Sequence, residues 1–155
     1  MIKYDQLKLS NQLCFPVYAA SRLITREYQP HLDELGITYP QYIALMVLWE
    51  NDGITVNEIT QKLILNTNTV TPLLKRMESQ GLITRQRSSD DERKVIVKLT
   101  EKGKMLQEQA AAIPQKLVAG LAASSMTIKK LIELKNSLNN IINFLKDKDH
   151  QRLSE

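Results

Sequence analysis

The chain has few of the features that mark secreted or membrane-spanning proteins. Its 155 residues include one cysteine, Cys14, so no disulfide can form within the chain and a reducing compartment is favoured. The longest uncharged run, Leu35 to Trp49, is too short to span a bilayer and is interrupted by Gly36 and Pro40. With 43% hydrophobic and 25% charged residues, the sequence predicts a single cytoplasmic domain with one core.

Aromatic side chains are absent from the part of the chain that carries the excess positive charge. Residues 54–104 hold ten Lys and Arg against six Asp and Glu, a surplus of four that equals the net charge of the whole chain. Of the eight aromatic residues, only Phe144 follows Trp49. A localised basic segment indicates an anionic partner, and proteins that read single strands usually stack bases on aromatic rings. The composition therefore favours double-stranded DNA as the partner.

Helix-capping residues divide the chain into predicted helices. Ser10 is positioned to cap the first one, while Thr38 with Gln41 and Thr55 with Glu58 have the spacing of capping boxes. The predicted helices cover residues 10–28, 30–36, 39–51, 56–63, 67–80, 100–121 with an interruption at Pro114, and 125 or 127 to about 146.

Two short segments break this helical rhythm. Leu82 to Arg87 and Lys94 to Leu99 are rich in β-branched residues, and a polar, charged segment joins them, so they predict a β-hairpin. Two short helices and a tight turn, followed by a hairpin, form the order of a winged helix-turn-helix. The predicted fold is mainly α with a small β-hairpin wing, and residues 54–100 are its predicted DNA-binding lobe.

The helix 67–80 and the hairpin carry the predicted DNA-reading surface. Asn, Thr and Arg side chains can hydrogen-bond base edges in the major groove, and Lys and Arg also bind phosphates. Arg93, just past the hairpin tip, is placed to enter a narrow minor groove, where Asp91 either orients it or neutralises it. The predicted DNA-binding residues are Asn66, Thr67, Asn68, Thr69, Thr71, Lys75, Arg76, Arg85, Arg87, Asp91 and Arg93.

The sequence resembles the MarR family of transcription repressors in its recognition helix and wing. The matching residues are Thr71-Pro72-Leu73-Leu74-Lys75-Arg76-Met77-Glu78, Gly81-Leu82-Ile83, Asp91-Glu92-Arg93 and Leu99-Thr100-Glu101-Lys102-Gly103. The resemblance covers nearly the whole chain and implies a winged-helix homodimer in which the terminal helices, within residues 1–36 and 104–155, interlock. It also implies pseudopalindromic operators with half-sites roughly 34 Å apart.

Cys14 lies near the start of the first predicted helix, where amide dipoles favour the thiolate, the reactive form of a cysteine. Tyr18, four residues on, shares its helix face. Tyr28, fourteen residues on, would lie roughly 21 Å from Cys14 along a continuous helix, so it could reach only the Cys14 of an antiparallel partner. The alternative is a cysteine that is merely packed as a small apolar residue.

The N-terminal region closely resembles the organic-hydroperoxide-sensing branch of the same family. The matching residues are Asn11-Gln12-Leu13-Cys14-Phe15, Tyr18-Ala19-Ala20-Ser21-Arg22, Tyr28, Pro30 and Thr38-Tyr39-Pro40-Gln41-Tyr42. The resemblance implies that Cys14 senses the peroxide in a pocket with Tyr18, and that Tyr28 and Tyr39 of the other subunit hydrogen-bond it. Pro16 departs from the pattern, and its ring suits a place close to the helix start.

Oxidation of Cys14 to the sulfenic acid is the predicted chemistry, and a small external thiol, a sulfenamide or over-oxidation would follow because the chain has no second thiol. A product at a packed dimer interface would then relieve repression. Two alternatives are a repressor controlled by a small aromatic ligand and a thiol peroxidase. His31 and His150 lack ligand-like spacing, and no phosphate loop or catalytic acid pair is present, so no metal site, cofactor or catalytic residue is predicted.

Overall fold

The computed structural model describes residues 3–122 and 126–152, with side chains described as far as residue 149. The helices are α1 (Cys14–Glu34), α2 (Tyr39–Glu50), α3 (Val56–Leu63), α4 (Thr67–Ser79), α5 (Glu101–Ala110), α6 (Ile113–Ala122) and α7 (Ile128–Arg152), and the strands are β1 (Ile54–Thr55), β2 (Ile83–Arg87) and β3 (Val95–Leu99). These elements fall into two compact units, one that ends at Ile113 and one that begins at Pro114.

Helix α1 starts later and runs further than the sequence predicts. The prediction that Ser10 caps it is wrong: Ser10 lies in a 3-10 turn, Leu9–Asn11, and α1 begins at Cys14. Pro16 is therefore the third helical residue, where its missing N–H removes no helical hydrogen bond. The predicted break at Pro30 is also wrong, because α1 continues through it to Glu34. Burial of Leu32, which is fully inaccessible to solvent, helps to offset the bond that Pro30 loses.

Helices α2, α3 and α4 begin where their capping residues predict. The Thr55 amide donates to Glu58 Oε2 at 2.8 Å, and the Glu58 amide donates to Thr55 Oγ1 at 3.1 Å, which closes the capping box of α3. The turn to α4 contains Ile64 in the left-handed conformation, with φ +55°, which is costly for a β-branched residue. Asn66 then caps α4.

The core of the first unit forms where the apolar faces of these helices meet the sheet. Its largest inaccessible side chains come from α1, α2, α3, α4 and the wing strands: Leu32, Leu45, Leu48, Ile59, Val70, Leu74, Met77, Ile83 and Val97. Because α4 places Val70, Leu73, Leu74 and Met77 on this core, its polar residues must face outward.

Strands β2 and β3 form the predicted antiparallel hairpin, in which Ile83 pairs with Leu99 and Arg87 pairs with Val95. A third strand, β1, pairs with the other edge of β3, so the sheet order is β1-β3-β2. The sequence gives no strand signal at β1, since two residues are too few to show an alternating pattern.

Helices α5, α6 and α7 follow β3 in the chain. The predicted interruption near Pro114 is present as a break between α5 and α6, with Pro114 as the second residue of α6. Thr127 Oγ1 accepts from the Lys130 amide at 3.3 Å at the start of α7, while the alternative start at Ser125 lies outside the described residues. Helix α7 extends to Arg152, past the predicted end near Lys146. None of the described helices is both long and apolar enough to cross a membrane.

Candidate nucleic-acid interface and redox site

The outer face of α4 presents the polar side chains that the sequence assigns to base reading. Asn68, Lys75 and Arg76 are exposed, and Thr71 is half-buried beside them. These residues lie on the side of the helix opposite its buried face, so α4 offers hydrogen-bond donors and positive charge together.

The first turn of α4 uses part of its polar side chains for its own cap. Asn66 Oδ1 accepts from the Thr69 amide at 3.1 Å and from Thr69 Oγ1 at 2.9 Å. Thr67 and Asn68 are exposed next to this cap. Asn66 and Thr69 therefore fix the start of α4, while Thr67 and Asn68 present their side chains to solvent.

The wing tip holds Arg93 in a defined orientation. Asp91 Oδ1 accepts from the Arg93 amide and from Arg93 Nε, both at 3.1 Å. The side chain of Arg93 nevertheless remains 91% exposed, whereas that of Asp91 is 26% exposed. The hydrogen bond from the Arg93 side chain lowers the pKa of the Asp91 carboxyl, so it stays ionised at neutral pH. Of the two roles that the sequence left open for Asp91, the geometry favours orientation.

Arg85 lies differently from the other predicted DNA-binding arginines. Its Nη2 and Nε donate to Glu78 Oε2 at 2.6 and 3.0 Å, and its amide donates to Glu78 Oε1 at 3.1 Å. The Arg85 side chain also lowers the pKa of the Glu78 carboxyl. This ion pair ties β2 to the last turn of α4, so Arg85 sets the angle between wing and helix. Arg87, at the end of β2, is exposed.

A groove of about 350 Å³ separates the start of α3 from α4 and the wing. It brings together Asn57, Thr71, Arg93 and Lys94, together with apolar side chains such as Val95. Sequence reasoning missed Asn57 and Lys94. The position of Lys94 beside Arg93 in a basic wing was an available signal, whereas Asn57 joins this surface only through the packing of α3 against β3.

Cys14 is the first residue of α1 and is exposed in the single chain. Tyr18, one turn later, is 58% exposed, and the Arg22 guanidinium lies 5.7 Å from the centre of its ring. Because α1 is unbroken, Tyr28 lies roughly 21 Å along the helix from Cys14. The structure thus places Tyr18, but not Tyr28, near Cys14 of the same chain.

Tyr28 instead belongs to an aromatic cluster formed by α1 and α2. The ring centres of Tyr28 and Tyr39 are 5.1 Å apart, those of Tyr28 and Tyr42 are 5.7 Å apart, and Tyr42 contacts Trp49 edge-on at 6.2 Å. Burial raises the pKa of all three tyrosines. Their phenols therefore remain protonated at neutral pH and can act as hydrogen-bond donors. The family resemblance implied that Tyr28 and Tyr39 act together on the Cys14 of another subunit, and in the single chain their rings are in contact.

No three His, Cys, Asp or Glu side chains of the described residues are grouped as metal ligands would be.

Comparisons with known proteins agree on one family. The family described as transcriptional regulator SarA/Rot matches residues 26–110. The organic hydroperoxide resistance transcriptional regulator of Bacillus subtilis (strain 168) is 48% identical over 147 residues, which are 95% of this chain and 98% of that protein.

Two solved structures of AbfR, a protein known from Staphylococcus epidermidis, are also similar. Reduced AbfR bound to DNA is 37% identical with a TM-score of 0.71, and overoxidized AbfR bound to DNA is 39% identical with a TM-score of 0.68. Each alignment covers 91% of this chain and 99% of the AbfR chain. The matched family and the Bacillus relative are transcriptional regulators, not enzymes, which removes the thiol peroxidase alternative. The chain therefore belongs to the MarR/SarA type of winged-helix transcriptional regulators, in the branch of the organic hydroperoxide resistance regulators.

Proposed function

We propose that the protein is a homodimeric, cytoplasmic repressor that binds a pseudopalindromic DNA operator and releases it when an organic hydroperoxide oxidises Cys14. The observation that carries the proposal is an exposed cysteine at the N-terminus of α1 in a chain that also holds an outward-facing polar helix and a braced wing arginine. The Bacillus relative is named for organic hydroperoxide resistance, and AbfR is bound to DNA in two redox states.

DNA binding assigns different tasks to α4 and the wing. The exposed face of α4 reads base edges in the major groove, chiefly through Asn68 and Arg76, while Lys75 binds phosphate. Arg93, oriented by Asp91, enters the adjacent minor groove. Two such lobes in a dimer match two half-sites about one helical turn apart.

Dimerisation is required because the single chain leaves the cysteine site incomplete. Phe15 and Val17 lie in the first turn of α1 beside Cys14 and Leu23 lies further along the helix, all as exposed apolar side chains, and Tyr28 is out of reach of its own Cys14. An antiparallel α1 of a second subunit would cover these side chains and bring its Tyr28 and Tyr39 to the sulfur. Their protonated phenols would then donate hydrogen bonds to the thiolate.

The reaction at Cys14 is a two-electron oxidation. The thiolate attacks the terminal oxygen of the hydroperoxide, the S–O bond forms as the O–O bond breaks, and the alkoxide leaves and takes up a proton from water as the alcohol. The sulfenic acid then condenses with a small thiol, which gives a mixed disulfide and one water. The added group occupies the space of the tyrosine contacts, so the two reading helices lose their operator spacing.

The test measures operator binding by fluorescence anisotropy before and after one equivalent of cumene hydroperoxide with a small thiol, with intact mass recorded on the same sample. Oxidation is expected to abolish binding and to add the mass of the thiol at one site. Cys14→Ser should bind the operator and ignore the peroxide. Met105→Leu is the matched control, because Met105 is a second exposed sulfur, 61% exposed, and its loss should leave the response intact. A Cys14→Ser protein that still releases DNA would refute the sensor assignment.

A further inference from the structure

The side chain of Gln41 is buried and fully used, although it belongs to neither the cysteine site nor the DNA surface. It is 4% exposed. Its Oε1 accepts from the Thr38 amide at 2.9 Å, which completes the capping box of α2, and its Nε2 donates to Gln80 Oε1 at 2.7 Å. An amide buried to this degree is stable in place only while these partners are present.

The two ends of this hydrogen bond belong to the two working parts of the proposed repressor. Gln41 lies between Tyr39 and Tyr42, which form the aromatic cluster with Tyr28. Gln80 is the C-cap of α4, where its amide donates to the Arg76 carbonyl. The Gln80 carbonyl also accepts from Lys102 Nζ at 2.9 Å, so the end of α4 is fixed to α5 as well.

We propose that Gln41 is a positioning residue that transmits movement of the tyrosine cluster on α2 to the C-terminal end of the reading helix α4 through its hydrogen bond to Gln80. The inference rests on the proposed function and extends it, because it names the contact through which oxidation at Cys14 alters DNA binding. Gln41 itself touches neither the peroxide site nor DNA.

A hydrogen bond is suited to this task in a way that the surrounding apolar contacts are not. Helices α2 and α4 also share buried leucines such as Leu45 and Leu74, but the attraction between apolar surfaces has no preferred direction. The 2.7 Å bond between two side-chain amides tolerates little change in distance or angle. When Tyr39 shifts to accommodate a modified cysteine, the start of α2 moves with it, and either Gln80 follows or Gln41 loses its partner.

The inference is tested by comparing operator dissociation constants of the reduced and oxidised full-length protein. Gln80→Leu removes the acceptor at an exposed position, so the protein should fold and the reduced form should bind the operator nearly as wild type does. The ratio of oxidised to reduced dissociation constants should fall about fivefold, the factor that one hydrogen bond of ordinary strength contributes to an equilibrium.

Two further variants separate coupling from a loss of structure. Gln80→Glu keeps an acceptor for Gln41 Nε2 and should restore the wild-type ratio. Gln107→Leu, an exposed glutamine on α5, is the matched control and should behave as wild type.

Opposite outcomes are distinguishable. An unchanged ratio in Gln80→Leu would overturn the coupling role while leaving the proposed function intact. A wild-type protein whose operator binding does not respond to oxidation would refute both the coupling role of Gln41 and the proposed function.

Discussion

Gly103→Ala is expected to destabilise the protein, because the backbone of Leu82, the residue before β2, occupies the space that a side chain would need. A Cβ at this position would lie 2.2 Å from the Leu82 carbonyl oxygen and 3.1 Å from Leu99 Cδ2, whereas contacts below 3.0 Å are essentially never seen. Two hydrogen bonds hold Gly103 in this position. Thr100 Oγ1 accepts from the Gly103 amide at 3.1 Å, and Trp49 Nε1 donates to the Gly103 carbonyl at 3.0 Å.

The expected loss of stability in Gly103→Ala is the balance of two opposing effects. Overpacking against backbone, which cannot rotate aside as a side chain can, costs about 3 kcal/mol. Alanine inside a helix recovers about 0.5–1 kcal/mol of backbone entropy relative to glycine. The net loss is about 2 kcal/mol, which lowers the melting temperature of a chain of this length by about 4–8 °C.

Differential scanning calorimetry of the variant and a matched control measures the effect. Gly120→Ala, on α6, meets nothing within 4 Å and should raise the melting temperature slightly, since it gains helix propensity without a clash. A Gly103→Ala protein that melts at or above the wild-type temperature would show that α5 and the Leu82 backbone separate easily, and it would refute the packing argument.

Four other substitutions test the turn, the ion pair and the wing. Ile64→Gly should raise the free energy of unfolding in urea by about 0.5–1 kcal/mol, because glycine adopts the left-handed conformation without strain. Arg85 lowers the pKa of Glu78 from its ordinary value of 4.5. The ion pair therefore stabilises the fold above pH 4.5, and this stabilisation is lost as the pH falls below that value. The melting temperatures of wild type and Glu78→Gln should consequently converge in acid. Arg93→Ala should weaken operator binding by about ten- to a hundredfold and reduce its salt dependence, and Asp91→Asn should cause a smaller loss, as measured by anisotropy at several salt concentrations.

Local sequence signals predicted the elements whose ends are fixed by their own residues. Capping boxes such as Thr55 with Glu58 place α2 and α3, and Gly81, at φ +71°, follows α4 as its spacing indicates. The predictions from sequence failed where a contact between residues far apart in the chain decides the local structure. A proline such as Pro30 usually ends a helix, yet α1 continues through it because Leu32 packs in the core and Tyr28 packs on α2.

In the candidate site, too, features set by neighbouring residues were predictable and contacts between distant residues were not. The outward face of α4 follows from helical periodicity, because Val70, Leu74 and Met77 fix which side is buried. The partner of Arg85 could not be predicted in the same way, since Glu78 lies on another element and the two meet only when β2 folds back on α4. Counting every Lys and Arg therefore overestimates the positive charge that DNA can contact, because the Arg85 guanidinium is paired with Glu78. Arg93, in contrast, keeps nearly all of its side chain in solvent.

The distribution of exposed apolar residues separates the two halves of the proposed mechanism. Along α4, the apolar residues Val70, Leu73, Leu74 and Met77 are buried, and the exposed residues other than Pro72 are polar, so its outward face is complete within one chain. Along the first two turns of α1, Phe15, Val17 and Tyr18 are exposed beside Cys14, at 38%, 48% and 58%. Covering such a stripe with a second α1 buries it and closes the cysteine site in one step. In the proposed dimer, the stability of the interface and the reactivity of its cysteine are therefore linked, and a product on Cys14 must weaken the contact that positions the two reading helices.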